Sequence, residues 1–199
     1  PILDRDQRSE VRGKTMIREE AYSISKKYTE NKNLLKHMLA CEAAMRNLAA
    51  HFDEDQDAWG FSGLLHDVDY DRTLDNFEKH GYIAAEILQE HGVNQDIIDA
   101  VSRHPAHKNN LPQRRMDWAL HIVDPLTGLI VSATLMHPTK KIRDVDTEFI
   151  MRRYKEKRFA AGANRDQIAL CEEKLGLTLE KFVSITLEGM KSIDRDLGL

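Results

Sequence analysis

The stretch Leu64-Leu65-His66-Asp67 sets the strictest condition on any fold for this chain. Two leucines carry the backbone into an apolar interior, and the next two side chains are ionisable. A buried carboxylate without a partner is so costly that such a group is normally paired or bound to a metal. Any fold must therefore bring further polar groups to the same interior point. The doublet alone occurs by chance in many proteins. Its weight comes from four other residues, His37, His80, His104 and Asp124, each on the apolar face of another expected helix.

Apolar periodicity supports that placement. Over residues 33–51, Leu34, His37/Met38, Cys41, Ala44/Met45 and Leu48 recur at i, i+3/i+4 and i+7, which describes an amphipathic helix. Asn33 is its expected N-cap. A preceding helix is expected over 16–28, and a following one over 56–68 carrying Trp59, Ser62, Leu65 and His66. After an acid-rich loop over 69–75, a helix over 76–91 places Phe77, His80/Gly81, Ala84 and Ile87/Leu88 inward and stops at Gly92. Asn94 caps a short helix whose apolar face runs through Ile97, Ile98, Val101 and His104, with Pro105 ending it.

A long apolar helix follows over 115–136, its inner stripe formed by Leu120, Val123/Asp124, Thr127 and Val131. Pro125 lies inside it and should kink it beside Asp124. Helical patterns resume at 144–155, 164–175 and 178–197, capped by Asp144, Asn164 and Thr178. Strand alternation is not evident, so the expected class is all-α. The organisation expected is a polar leader over 1–13, a helical domain over 14–138, and a C-terminal helical extension over 139–199 packed on the same domain.

Composition narrows the function classes. A chain of 199 residues can bury a substantial core. A net charge of −4 gives no general pull toward nucleic acid or anionic membrane. No stretch reads as the roughly 20 apolar residues that span a bilayer. Residues 1–14 are charged, without the apolar segment of a secretory signal. Cys41 and Cys171 lie in helical patterns and read as reduced thiols, so a cytoplasmic protein is expected. Imidazoles and carboxylates together suit a divalent transition metal (Fe, Mn, Co, Ni or Zn, with Mg also admitted), whereas structural zinc usually takes thiolates.

The local contexts extend the pattern. The order His37 … His66-Asp67 … Asp124, within "LLKHMLACEAAMRNLA", "GFSGLLHDVDYD" and "ALHIVDPLTGLIVSA", resembles the HD-domain superfamily of metal-dependent phosphohydrolases. The stretches "EKHGYIAAEIL" and "IIDAVSRH" are similar to the extra histidine motifs of its two-metal members. The resemblance covers residues 30–136 and implies an HD-domain-like helical bundle. It implies that His37, His66, Asp67 and Asp124 hold a first ion, with Asp67 bridging to a second held by His80 and His104. It further implies hydrolysis of a phosphate ester, a nucleotide or related small molecule, by metal-activated water. Two departures stand out: Val68-Asp69 replaces the glycine that often follows the doublet, and His104 stands alone before Pro105.

Several residues carry two readings. Asp71 and Asp69 are candidates for general acid/base work, or are turn aspartates; Arg72 is a candidate phosphate contact, or a solvated loop arginine. His107 reads as a surface residue before a supplementary metal contact, and Cys41 as ordinary core packing before a Cys/His metal pair with His37 at i, i+4. The basic run Lys140, Lys141, Arg143, Arg152, Arg153, Lys155, Lys157 and Arg158 reads as a solvated helix face before a phosphate-binding wall. The functional alternative to a hydrolase is a non-catalytic metal-binding, ligand-sensing or interaction module on the same scaffold. The expected partner is a small-molecule phosphate ester, without nucleic acid or membrane, and a homodimer is compatible with the helical extension.

Overall fold

The computed structural model describes residues 16–199, so the leader expected over 1–13 lies outside the described residues. Among them the fold is all-α. Eleven α-helices follow one another: α1 (Arg18–Tyr28), α2 (Lys32–Phe52), α3 (Gln56–Leu65), α4 (Tyr70–Thr73), α5 (Tyr82–Glu90), α6 (Gln95–Arg103), α7 (Arg115–Met136), α8 (Thr147–Lys155), α9 (Arg165–Leu175), α10 (Leu179–Lys191) and α11 (Asp194–Leu197). An isolated bridge between His107 and Asn110 is the sole extended pairing among the described residues.

Helix α2 is the hub, packed against α3, α7, α10 and α11. Its interior face, including Met38, Cys41, Ala44, Met45 and Leu48, has no exposed surface. Two glycines let neighbouring helices press onto its backbone. A Cβ on Gly63 of α3 would stand 2.7 Å from the Cys41 carbonyl, and one on Gly189 of α10 would stand 2.6 Å from the Ala43 carbonyl oxygen. This close approach brings the end of α3, where His66 sits, onto the face that carries His37.

Helix α7 is long and apolar enough to cross a membrane, a property missed in the sequence. Here it serves as a core helix, largely buried and packed on α2, α6, α8, α9 and α10. It runs on through Pro125 without interruption. Residues of α8, α9 and α10, among them Ile150, Ile168, Cys171, Phe182 and Met190, join the same apolar core as α2 and α7.

Three local expectations are corrected. Helix α2 is capped by Asn31, whose side chain accepts from the Asn33 and Leu34 N–H groups, in place of Asn33. Helix α8 is capped by Asp146 rather than Asp144. The segment over 76–91 is not one helix: Phe77–Lys79 make a single 3-10 turn, His80 is extended, and Gly81 at φ 82° starts α5. The break arises because the N–H groups of Gly81 and Ala84 bond the Asp69 carboxylate, which caps the new helix from a distance in sequence.

Candidate metal centre

Four imidazoles converge, and each is anchored through Nδ1. The Nδ1 of His66 donates to the Gly63 carbonyl at 2.8 Å, and that of His104 to the Val101 carbonyl at 2.6 Å. The Nδ1 of His80 donates to Oδ1 of Asp69 at 2.8 Å. For His37 the partner is the Thr127 hydroxyl at 3.2 Å. That hydroxyl spends its only proton on the Asp124 carbonyl at 2.9 Å, so it accepts from His37. A hydrogen bond at one ring nitrogen fixes the tautomer and leaves the other as a lone pair, the arrangement of metal-ligating histidines.

The free Nε2 atoms face two carboxylates. Oδ2 of Asp67 lies 3.3 Å from His66 Nε2 and 3.8 Å from His37 Nε2. Its Oδ1 lies 3.3 Å from His80 Nε2 and 3.6 Å from His104 Nε2. Asp67 is thus divided between two pairs of imidazoles. Asp124 adds Oδ1 at 3.0 Å from His37 Nε2. The cluster is buried except along one edge, where the side chains of His37 and Asp124 are 22% and 33% exposed.

Electrostatics follow from crowding these groups in a dry interior. Burial opposes a charge on His66, but the neighbouring Asp67 carboxylate outweighs it and raises the imidazole to about 9. His80 is likewise raised to about 9, with burial outweighed by hydrogen bonds to Asp67 and Asp69. Burial, then the charges on His66 and His80, lower His104 despite its bond to Asp67. The Nε2 atoms of His80 and His104 lie 3.1 Å apart, a distance at which two lone pairs need a proton or a cation between them. Their opposite shifts put that proton on His80. Burial would raise Asp67, yet His66 and the surrounding imidazole hydrogen bonds hold it well below the usual carboxylate range.

The donor set fits a divalent transition metal. Neutral imidazole and carboxylate are the ligand types such ions take. Among the described residues His66 Nε2 is buried with no hydrogen-bond partner, Asp67 Oδ2 lying beside it but off the bond direction. An orphaned buried nitrogen is rare and calls for an explanation. A nitrogen placed to bind a cation, proton or metal, supplies one.

All six expected ligand residues, His37, His66, Asp67, His80, His104 and Asp124, come together. The three expected catalytic residues do not join them. Asp69 is fully buried behind His80, its oxygens occupied by His80 and by the N–H groups of Gly81 and Ala84, so it orients the His80 ring. Asp71 is exposed and accepts from the Glu30 N–H at 3.2 Å. The Arg72 guanidinium lies over the Tyr28 ring, 5.0 Å from its centroid. Neither makes a contact with the cluster.

Other supports escaped the sequence reading. His107 is no mere surface residue: its Nε2 donates to the His80 carbonyl, and its ring stacks on Tyr82. Nδ1 of His121 donates to the His104 carbonyl at 2.6 Å, and Gln167 of α9 bonds the His121 carbonyl. Only Thr127, three residues after Asp124 on the same helix, carried a usable signal. In the basic run, Arg143, Arg152 and Arg153 pair with Asp194, Glu148 and Glu156 and do not touch the cluster.

Residues 34–126 match the HD domain family, and that span holds every residue of the cluster. The chain therefore carries an HD domain over these residues.

Proposed function

We propose that this chain is a metal-dependent phosphohydrolase acting on a small phosphate ester, a nucleotide or related molecule. The observation that carries the reading is the convergence of four histidine Nε2 atoms on Asp67, each ring fixed from behind at Nδ1. His37, His66, Asp67 and Asp124 would hold one divalent ion, and Asp67, His80 and His104 a second. Bound there, the metal supplies activated water and neutralises charge on the phosphoryl oxygens.

The chain's own residues set the approach. Only the edge formed by His37 and Asp124 is open, so the phosphoryl group enters from that side. The Gly63 and Val101 carbonyls, Asp69 and Thr127 hold the imidazoles in place before substrate arrives, which lowers the cost of organising the site during reaction. Tyr70, Phe77 and Tyr82 stand 36%, 55% and 40% exposed around His80 and His107. Such exposed rings suit the planar or apolar part of an organic phosphate. The absence of Asp71 and Arg72 from the cluster favours one other reading, a metal-binding sensor that retains the scaffold without efficient turnover.

The test is a panel of phosphomonoesters and phosphodiesters offered to chelated and metal-reloaded protein, with Asp67→Asn as control. Hydrolysis that returns with metal and is absent in the variant supports the proposal. Metal bound without turnover of any ester moves the chain to the sensor reading.

A further inference from the structure

We infer that Cys41 is a metal ligand: its thiolate joins His37, His66 and Asp124, beside Asp67, in a donor set that prefers a thiophilic ion, such as zinc, over manganese or magnesium. Resting on the metal-centre reading above, the inference concerns a residue that the H…HD…D pattern does not contain.

Geometry is the first support. Cys41 lies one turn after His37 on the buried face of α2, its Sγ 3.8 Å from His37 Nε2. One donor atom from each of His37, Cys41, His66 and Asp124 can be chosen so that all lie within 4.8 Å of one another. With zinc–nitrogen bonds of about 2.0–2.1 Å and zinc–sulfur bonds of about 2.3 Å, tetrahedral ligands stand roughly 3.5 Å apart. Small side-chain adjustments close the difference.

The surroundings of the sulfur are the second. Buried free cysteines are ordinary in helical cores, where apolar side chains surround them. Cys41 instead faces His37 and the Thr127 hydroxyl, 3.6 Å away, whose proton is already committed to the Asp124 carbonyl. The third support is independent of the cysteine. His66 Nε2, buried and without a hydrogen-bond partner, belongs to the same four-donor group. Gly63, whose missing side chain seats α3 on the Cys41 carbonyl, brings the two ligands within reach.

The chemical consequence follows from softness. Thiolate selects zinc and its thiophilic neighbours, whereas carboxylate with water suits manganese and magnesium. On ligation the thiol proton passes to solvent.

The test is spectroscopic and needs no substrate. Chelated protein is titrated with Co(II) without oxygen, alongside Cys41→Ser and Cys171→Ser. We expect a near-ultraviolet thiolate-to-cobalt charge-transfer band in the parent and in Cys171→Ser. In Cys41→Ser that band is expected to vanish while the weaker visible cobalt bands remain, and the preference for zinc over manganese to fall at least tenfold. Cobalt bound by the parent protein without the charge-transfer band overturns the role of Cys41 and leaves the HD-pattern ligands standing, even if Cys41→Ser does not fold. A band that persists in Cys41→Ser overturns it equally. Failure to take up cobalt at all overturns the metal centre itself.

Discussion

Replacing Asp69 by asparagine separates holding a ligand from moving a proton. Oδ2 of Asp69 accepts from the Gly81 and Ala84 N–H groups at 2.8 and 2.9 Å, and Oδ1 accepts from His80 Nδ1 at 2.8 Å. Asparagine offers one oxygen and one amide donor. The two backbone donors claim the oxygen, so the amide faces His80 Nδ1. His80 must then present a lone pair at Nδ1 and carry its proton on Nε2, the atom 3.3 Å from Asp67 Oδ1. A protonated nitrogen is no ligand, and loss of such an outer partner typically costs 10–100-fold in metal affinity, about 1.4–2.7 kcal/mol. Exchanging charge-assisted bonds for neutral ones costs stability too, about 2 kcal/mol, which lowers Tm by about 4–8 °C in a chain of this length. Chelator competition reads the first effect and calorimetry the second. Wild-type metal affinity with turnover abolished would instead assign Asp69 to proton transfer.

Three other outcomes are expected. In chelated protein, His66 and His80 near 9 lie above the unfolded value of about 6.5, so their charged forms stabilise the fold fully below about pH 6.5. That contribution is lost as pH rises from about 6.5 to about 9, and urea midpoints should fall over this window; a flat or rising midpoint contradicts it. Phe77→Ala removes a half-exposed ring that lies against His80 and His107, and should raise KM for ring-bearing phosphates about tenfold while barely moving Tm; an unchanged KM removes Phe77 from substrate binding. Gly63→Ala puts a Cβ 2.7 Å from the Cys41 carbonyl and should cost about 1–3 kcal/mol by forcing α2 and α3 apart, together with weaker metal binding, read by thermal melts and chelator competition; an unperturbed variant would show that this approach does not position His66.

Much of the centre was legible because helical periodicity is local. His37 and Asp124 fall on apolar stripes of α2 and α7, whose bounds the pattern places within a residue or so. The doublet marked itself by ending an apolar run. His80 was found for the wrong structural reason: it stands in a break before α5, held by Asp69, and that pairing spans 11 residues which no helical repeat relates. The roles of Asp69, Asp71 and Arg72 were set by tertiary partners, the first by the α5 N-terminus, the others by Glu30 and Tyr28. A carboxylate near a doublet looks the same in sequence whether it faces the cleft or the back of a ligand. For Cys41 the spacing admitted a metal pair with His37 but favoured packing, since helical spacing says that a side chain is inside but not what it meets there.

Whether these six residues hold metal is decided by elemental analysis of protein purified without chelator. One to two equivalents of a divalent transition metal per chain are expected, falling sharply in His66→Ala and Asp67→Ala variants that keep their helical circular dichroism. Folded parent protein that contains no metal and takes up none on reloading would contradict it.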